Sequence, residues 1–199
     1  MSLTVNAKSS TNMEPISEGT HLGVCYMLVD LGMQYNENFK NSSRKVLIGW
    51  ELPDEKINLE DGEHNRVISK TYTASLNERA NLRQDLEAWR SRAFTDKELE
   101  AFDLRNIIGT SCLINVVHRE SNGKKYANAQ NIMALPKGME KGKPSETPVI
   151  FDLDKDPLQA IESFPDWIKD TIKKSETYQE RMVAPVEITP IEDDGDLPF

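Results

Sequence analysis

The chain has 199 residues, of which 38% are hydrophobic and 29% are charged, and these proportions are typical of a globular protein rather than a membrane-embedded or wholly disordered one. Its longest apolar run, "VCYMLV" at 24–29, is too short to cross a bilayer, and the polar start "MSLTVNAKSSTN" lacks the apolar core of a signal peptide. We therefore expect a cytoplasmic protein that makes no contact with membranes.

The net charge of −9 is unevenly distributed along the chain. Residues 1–150 contain 19 basic and 20 acidic side chains, a net charge of −1, whereas residues 151–199 contain 5 and 13, a net charge of −8. This asymmetry indicates a nearly neutral body followed by an acidic interaction tail. The two cysteines, Cys25 and Cys112, have no Cys-x-x-Cys partner, and we predict that both are buried free thiols.

Three strands are predicted in the first part of the chain. The segment "EGTHLGVCYMLVDLGMQ" (18–34) is rich in apolar and β-branched residues and contains glycines that permit bends, so it predicts a long, curved strand. The segments "KVLIGWEL" (45–52) and "RVISKTYTASL" (66–76) predict the second and third strands. Long polar loops are expected after the first and second strands.

A helix and two further strands are predicted next. Apolar residues recur at helical spacing in "NERANLRQDLEAWRSRAF" from Asn77, and Thr95 is a suitable N-cap for a second, short helix. The segments "GTSCLINVVHRE" and "KKYANAQNIMALP" predict the last two strands, and "SNGK" between them predicts a compact hairpin turn.

This element order predicts a mainly β protein with one or two helices. After an N-terminal lead (1–17), residues 18–136 match a five-stranded oligonucleotide/oligosaccharide-binding (OB) barrel. The binding surface of such a barrel consists of strands two and three together with the loops between strands one and two and between strands four and five. A generic α+β sheet with the same element order is the alternative.

The remaining chain is predicted to lie outside the barrel. Residues 137–181 begin with the Gly-, Pro- and Lys-rich stretch "KGMEKGKPSETP" and are interpreted as a linker with a short helix at "PDWIKDTIKKS", in which Trp167, Ile168 and Ile172 share one side. Residues 182–199 have three prolines and no amphipathic period, so they predict a disordered, flexible acidic tail.

Aromatic residues next to basic residues occur in three segments that are expected to converge on the binding surface. In the third strand, alternation groups Arg66, Lys70 and Tyr72 with Ile68 on one face. The first loop and the last hairpin supply the other candidates, which are Tyr35, Phe39, Lys40, Arg44, Lys45, Arg119, Lys124, Lys125 and Tyr126. Single-stranded nucleic acid is held in this way, with rings stacked on unpaired bases and cations along the phosphates. An ordinary solvated strand face also explains the third strand.

Two tryptophans are predicted to lie in the core. Trp50 alternates in phase with Val46 and Ile48, and Trp89 is in helical phase with Leu86. Four arginines near Trp89 either extend a basic track or form a solvated helix face, and they are Arg79, Arg83, Arg90 and Arg92.

The last nine residues, "IEDDGDLPF", combine four carboxylates with a terminal Leu-Pro-Phe. Disorder explains the acids but not this ending. The stretch "DDGDLPF" resembles the acidic C-terminal tip of bacterial and bacteriophage single-stranded-DNA-binding proteins, which typically ends in several Asp residues, then Ile or Leu, Pro and Phe. From about Gly19 to Pro136 the body is also similar to phage or prophage versions of this family, through "IGWELP", "YTASLNERANLRQDLEAWRSRAF" and "NGKKYANAQNI".

The resemblance implies a function in DNA replication, recombination and repair, in the cytoplasm of a bacterial host if a phage encodes the chain. Phe199 would insert its ring into an apolar pocket of a partner protein, and Pro198 would fix the direction of the chain. The residues implied in partner binding are Asp193, Asp194, Asp196, Leu197, Pro198 and Phe199. The tail would also compete with phosphate for the cations of the barrel. Gly195 and the long insertion after Pro136 depart from the usual pattern.

No enzyme signature is present in the sequence. "GMEKGKP" is one residue short of a phosphate-binding loop and has Pro144 in place of Ser or Thr. His21, His64 and His118 are scattered, so no catalytic residue, metal site or cofactor is predicted. We predict a non-catalytic protein that binds and protects single-stranded DNA, and a homo-oligomer is left open. The alternatives are a tail-displaying adaptor or decoy that does not bind DNA, and a strand-annealing recombination protein.

Overall fold

The computed structural model describes residues 14–59 and 62–183, which form a mainly β structure. The strands are β1 (Gly19–Asn36), β2 (Asn41–Leu59), β3 (Gly62–Thr73), β4 (Ser111–Ser121), β5 (Lys124–Met133) and β6 (Val149–Phe151). They form one sheet in the order β3-β2-β1-β4-β5 with antiparallel neighbours, and β6 pairs in parallel with β1. The mainly β class with a few helices is therefore confirmed.

The helices lie between β3 and β4 and after β6. They are α1 (Asn81–Arg90), α2 (Asp96–Glu100), α3 (Asp166–Lys173) and α4 (Glu176–Val183), with short 3-10 turns at Leu104–Ile107 and Leu158–Ser163. The N-cap predicted at Thr95 is confirmed, because its side chain and that of Glu98 form a reciprocal capping box at the start of α2. In the part of the chain that the structure describes, no helix is long and apolar enough to cross a bilayer.

Strand β1 joins the two halves of the sheet. Residues 19–24 pair with β4, and residues 24–36 pair with β2 through two irregularities that let the strand bend. Gly32 lies at the second irregularity with φ of 74°, and a Cβ atom there would come within 2.6 Å of Ser175 Oγ. The predicted long first strand is confirmed, and it extends two residues further than its sequence pattern indicated, to Asn36.

The long polar loops predicted after the first and second strands are wrong. The turn between β1 and β2 is only Glu37–Lys40, because the strands continue on both sides of it with Tyr35 opposite Ser42. Most of the second predicted loop extends the ladder between β2 and β3, where Lys56 Nζ donates to Asn65 Oδ1 at 2.6 Å. Backbone pairing between neighbouring strands therefore continues through these polar residues.

The inner face of the sheet and helix α1 enclose one hydrophobic core. Trp50 and Trp89 are both buried, as predicted, and their ring centroids are 5.9 Å apart. Cys25 and Cys112 are buried free thiols in the same core. Burial raises the pKa of Cys25 to about 12 and also raises that of Cys112, so both thiols stay protonated at neutral pH.

The outer face of β1 and β2 belongs to a second hydrophobic core. Met27, Val29 and Leu47 point outward from the sheet and are buried under β6, the second 3-10 turn and α3. The helix predicted at "PDWIKDTIKKS" is present as α3, and its Ile168 and Ile172 are buried in this core. Trp167 does not share their side and is 52% exposed. We call residues 149–183 the C-terminal cover.

Candidate nucleic-acid interface

Strands β4 and β5 form a hairpin around a two-residue turn. Asn122 and Gly123 both have positive φ, at 52° and 72°, which is the geometry of the tight turns that match the twist of antiparallel strands. Asn and Gly are the residues that adopt this conformation most readily. The turn predicted at "SNGK" is therefore confirmed, and its register sets Arg119 opposite Tyr126.

The hairpin has one face toward the inner core and one face outward. Cys112, Ile114 and Val116 are buried in alternation along β4, so the residues between them point away from the core. An irregularity in the ladder leaves Gln130 without a direct partner. The inward positions of β5 on both sides of it therefore stay opposite the inward positions of β4. We call the outward residues the β4–β5 face: Asn115, Val117, Arg119, Ser121, Lys124, Tyr126, Asn128 and Asn131.

The β4–β5 face has basic, aromatic and amide groups and no carboxylate. Arg119 and Tyr126 are exposed cross-strand neighbours, and the Tyr126 ring is 48% exposed. Lys124 lies two positions nearer the turn, while Glu120 and Lys125 alternate onto the opposite side. Among residues 14–59 and 62–183, no ion-pair partner is present for Arg119, Lys124 or Lys125. Their charge is therefore available to an external anion.

Three asparagines complete the face, and the sequence interpretation missed them. Asn115 and Asn131 are directly opposite each other, and Asn128 donates from its side chain to the carbonyl of Tyr126 at 3.1 Å. Amides supply both donors and acceptors to a ligand without adding charge. The alternation in "YANAQN" could have found Asn128, but it selects Gln130 rather than Asn131, because the ladder irregularity changes the phase there.

The tip of the β1–β2 hairpin holds a second predicted group, Tyr35, Phe39 and Lys40. Tyr35 is 58% exposed and Phe39 is 77% exposed. The turn is held by Asn36, whose Oδ1 accepts from the backbone N–H groups of residues 38 and 39 at 3.0 and 3.2 Å. Exposure of a ring to this degree at a rigid turn is unusual for a residue with only a packing role.

The two hairpin tips do not converge. Gly19, the first residue of β1, pairs with Val116 of β4, so the β4–β5 turn lies beyond the start of β1. Asn36, the last residue of β1, leads into the β1–β2 turn. The expectation that the first loop and the last hairpin meet at one surface is therefore wrong, because an 18-residue strand separates them.

Arg44 and Lys45 extend from the base of the β1–β2 hairpin. Arg44 donates to both carboxylate oxygens of Asp30 and, at 2.6 Å, to Asp154. Hydrogen bonding to Asp30 raises the pKa of Arg44 above its ordinary value. Its charge is therefore already paired, whereas Lys45 donates only to the hydroxyl of Thr73, at 2.7 Å.

Strand β3 turns its predicted binding face toward the core. Ile68 and Tyr72 are buried there, and the Tyr72 hydroxyl donates to Asp85 at 2.8 Å. Burial, followed by the charge of Asp85, raises the pKa of Tyr72. Lys70 bonds to Asp85 at 2.6 Å and to the carbonyl of Gln130 at 2.7 Å. The prediction of an exposed base-stacking face on this strand is wrong, since alternation does not say which face is buried.

The outer face of β2 is closed as well. Leu47 is buried beneath the C-terminal cover, so this part of the predicted binding surface is not available. Arg66 on β3 is partly buried and donates to the carbonyl of Glu14. Of the predicted residues, the structure therefore brings together Arg119, Lys124, Lys125 and Tyr126 in one exposed group, and Tyr35, Phe39 and Lys40 in another.

One group of carboxylates has metal-ligand spacing. One oxygen from each of Asp30, Asp152 and Asp154 lies within 4.8 Å of the other two. Arg44 donates to two of these carboxylates. Lys155 pairs with Asp152 at 2.8 Å, so each of the three carboxylates already has a cationic partner from the protein.

Comparison with known proteins does not assign the chain to a class. No protein-family model matches it, and no curated protein matches it.

Proposed function

We propose that the protein binds and protects single-stranded DNA, without catalysis and with little sequence selectivity, and that the β4–β5 face is the main contact. The observation that supports this most directly is the composition of that face, where Arg119, Lys124 and Tyr126 are exposed and no carboxylate is present. The net charge of −9 means that the protein as a whole repels phosphate. An exposed face with basic residues and no carboxylate is the opposite of that general character.

The chemistry of the face fits an unpaired strand better than a duplex. Tyr126 can stack on a splayed base, which contributes about 1–3 kcal/mol, while Arg119 and Lys124 neutralise phosphates on either side. The asparagine amides can bond to base edges or sugars. The bases of a duplex are already paired and stacked on one another, so they cannot stack on Tyr126, and the duplex should compete poorly.

An OB barrel is the fold that we propose for residues 18–136. The strand order β3-β2-β1-β4-β5 supports it, since closure would bring together the two end strands. The hydrogen bond from Lys70 on β3 to the carbonyl of Gln130 on β5 links those end strands and further supports closure.

The tip at 192–199 is proposed to recruit replication, recombination and repair proteins, as its resemblance implies. These residues lie outside the described part of the chain. An adaptor that displays the tip without binding DNA, or a strand-annealing protein, is distinguished by the measurements that follow.

The test is fluorescence anisotropy of labelled oligo-dT with the wild type, Tyr126→Ala and Phe39→Ala. We expect Tyr126→Ala to weaken binding about 5- to 150-fold, which corresponds to one lost stacking contact, and Phe39→Ala to have a smaller effect. Arg119→Ala should lower the slope of log affinity against log salt by about 0.7.

Circular dichroism of each variant checks that it is folded. If Phe39→Ala loses binding and Tyr126→Ala binds like the wild type, the site lies at the β1–β2 hairpin, and our assignment of the face is contradicted. No binding by the wild type at low salt would contradict the function and leave the adaptor. Faster pairing of complementary strands in the presence of the protein would support annealing.

A further inference from the structure

A basic pocket lies at the opposite end of β4 from the hairpin turn. It has a volume of about 520 Å³ and is formed where the end of α1, the start of β4 and the segment 137–148 meet. Ser111, the first residue of β4, lies at its edge, and the ring of Trp89 and Ile107 form its floor. The pocket is separate from the residues that we assigned to DNA binding.

Three cations and one carboxylate line this pocket. Arg92 and Lys141 are exposed, whereas Arg90 is held against the rings of Phe94 and Phe102, at 4.4 and 5.2 Å from their centroids. Stacking of this kind fixes the guanidinium in position without neutralising it.

Among the residues that the structure describes, Glu98 is the only acidic one in the lining. It accepts hydrogen bonds from Arg92 at 2.8 and 3.0 Å and a further bond from Arg90. The bonds from Arg92, followed by the backbone bond from Thr95, lower the pKa of Glu98 to about 2, so it is ionised at neutral pH. Two positive charges remain on the lining after this carboxylate is counted.

Outside the lining, Glu87 interacts electrostatically with Arg90, but Glu87 is itself paired with Arg83 at 2.9 Å. Lys141 has no ion-pair partner in residues 14–59 and 62–183. The Nη1 atom of Arg90 is buried and, within the same ranges, has no hydrogen-bond partner. A pocket with an excess of fixed positive charge beside an apolar floor is suited to a phosphate group attached to an organic moiety.

We propose that this pocket binds a phosphate group of the same single strand that lies on the β4–β5 face, a proposal that rests on the proposed function. Arg119 is eight positions after Ser111 along β4, which corresponds to about 27 Å of strand. Both ends of β4 then hold phosphates, Asn115 and Asn131 lie between them, and Tyr126 lies beside Arg119 at the hairpin end. The strand follows β4 rather than crossing β2 and β3, whose surfaces are covered or turned inward.

The test compares Lys141→Ala with Lys137→Ala, an exposed lysine of the same segment outside the pocket lining. Both variants lose one charge, but only Lys141→Ala removes a phosphate contact. Oligo-dT anisotropy is measured over about 50 to 200 mM salt. We expect Lys141→Ala to lower the slope of log affinity against log salt by about 0.7, and to lower the affinity itself about fivefold at about 0.1 M salt. Lys137→Ala should stay close to the wild type.

Glu98→Gln provides the opposite change. Glutamine preserves the capping box of α2, so the helix should remain intact while the pocket gains a positive charge. We expect tighter oligo-dT binding by about fivefold, compared with no gain for Glu100→Gln at an exposed position of the same helix. Equal effects of Lys141→Ala and Lys137→Ala, with binding intact, would overturn the pocket while leaving the proposed function in place.

A second arm separates the two proposals if the wild type does not bind oligo-dT. Inorganic pyrophosphate is titrated while the side-chain Nε–H signals of Arg90 and Arg92 are followed by NMR. Saturable shifts that are lost in Lys141→Ala would support a phosphate pocket that serves a free phosphate compound. Absence of shifts together with absence of oligo-dT binding would overturn both proposals.

Discussion

Glu51 shows how one buried side chain anchors a distant segment. It is fully buried in the middle of β2 and accepts hydrogen bonds from the side chain of Asn65, from the backbone and hydroxyl of Ser145, and from the backbone of Glu146. Burial opposes its ionisation, but these hydrogen bonds outweigh burial and lower the pKa of Glu51. The segment before β6 is thereby fixed to the sheet.

The pH dependence of stability should reflect this carboxylate. Because its folded pKa is lowered, Glu51 stabilises the fold above its unfolded pKa of about 4.3, and that contribution is lost as the pH falls toward the folded value. In Glu51→Gln the stability at pH 7 should fall, and the decrease between about pH 5 and pH 3 should be smaller. Urea midpoints at both pH values measure this, with Glu180→Gln on exposed α4 as the control. An unchanged acid dependence in Glu51→Gln would contradict the role.

At the residue scale, the sequence predicts exposure more reliably at a hairpin turn than along a strand. Arg119, Lys124 and Tyr126 were identified from their position around a turn, and a local turn signal fixes which residues are exposed at its tip. Tyr72 was assigned to solvent because alternation separates two faces without identifying the buried one. The missing information was the position of Asp85 on α1, which satisfies the Tyr72 hydroxyl inside the core.

At the scale of elements, the C-terminal cover was the feature least accessible to prediction. Strands β1 to β5 and α1 have local periodicity and are present as predicted, whereas β6 and α4 lie in residues 137–181 and at their end, which the sequence indicates as a linker with one short helix. The run "VLIGWEL" in β2 is apolar on both faces, which is typical of a strand covered on both sides. What covers the outer face is decided by the parallel pairing of β6 with β1, between residues more than a hundred positions apart, and no local pattern reports such a pairing.

The cover should matter for stability more than for DNA binding. Ile172 of α3 is fully buried, so Ile172→Ala should lower the free energy of unfolding by about 2–5 kcal/mol. Ile150→Ala is a matched control, because Ile150 is 44% exposed and its loss should cost less than about 0.5 kcal/mol. Urea unfolding gives both values. Oligo-dT affinity of the folded Ile172→Ala protein should equal that of the wild type, and a large loss would indicate that the cover itself touches DNA.

At the scale of the whole molecule, the proposed DNA contact and the start of the acidic tail lie at different ends. The Thr177 hydroxyl of α4 accepts from the backbone of Met33 at 3.0 Å, and Ser42 donates to Glu176 at 2.5 Å. Helix α4 is thus fixed beside the β1–β2 hairpin, and residues 184–199 follow it. Fully extended, 16 residues span at most about 55 Å. The tail is therefore long enough to approach cations of the sheet that lie away from α4.

Neutralising the tail tests whether it competes with DNA. We expect a variant with Glu192→Gln, Asp193→Asn, Asp194→Asn and Asp196→Asn to bind oligo-dT more tightly at low salt, because four negative charges no longer compete for the same cations. Phe199→Ala keeps the charges and should bind DNA like the wild type. The difference should shrink at high salt, where the interaction is screened. Equal affinity of both variants at low salt would contradict the competition.

The C-terminal cover also sets an order of events during synthesis. The apolar outer side of β1, with Met27, Val29 and Leu31, leaves the ribosome early, but the residues that bury it are made more than a hundred codons later. Contacts this far apart in sequence form slowly, and exposed apolar strand surface is prone to association in the meantime. The nascent chain therefore has an interval in which its strands can pair while one side of the sheet is still open, and the interval ends when residues 149–183 have emerged and packed on that side.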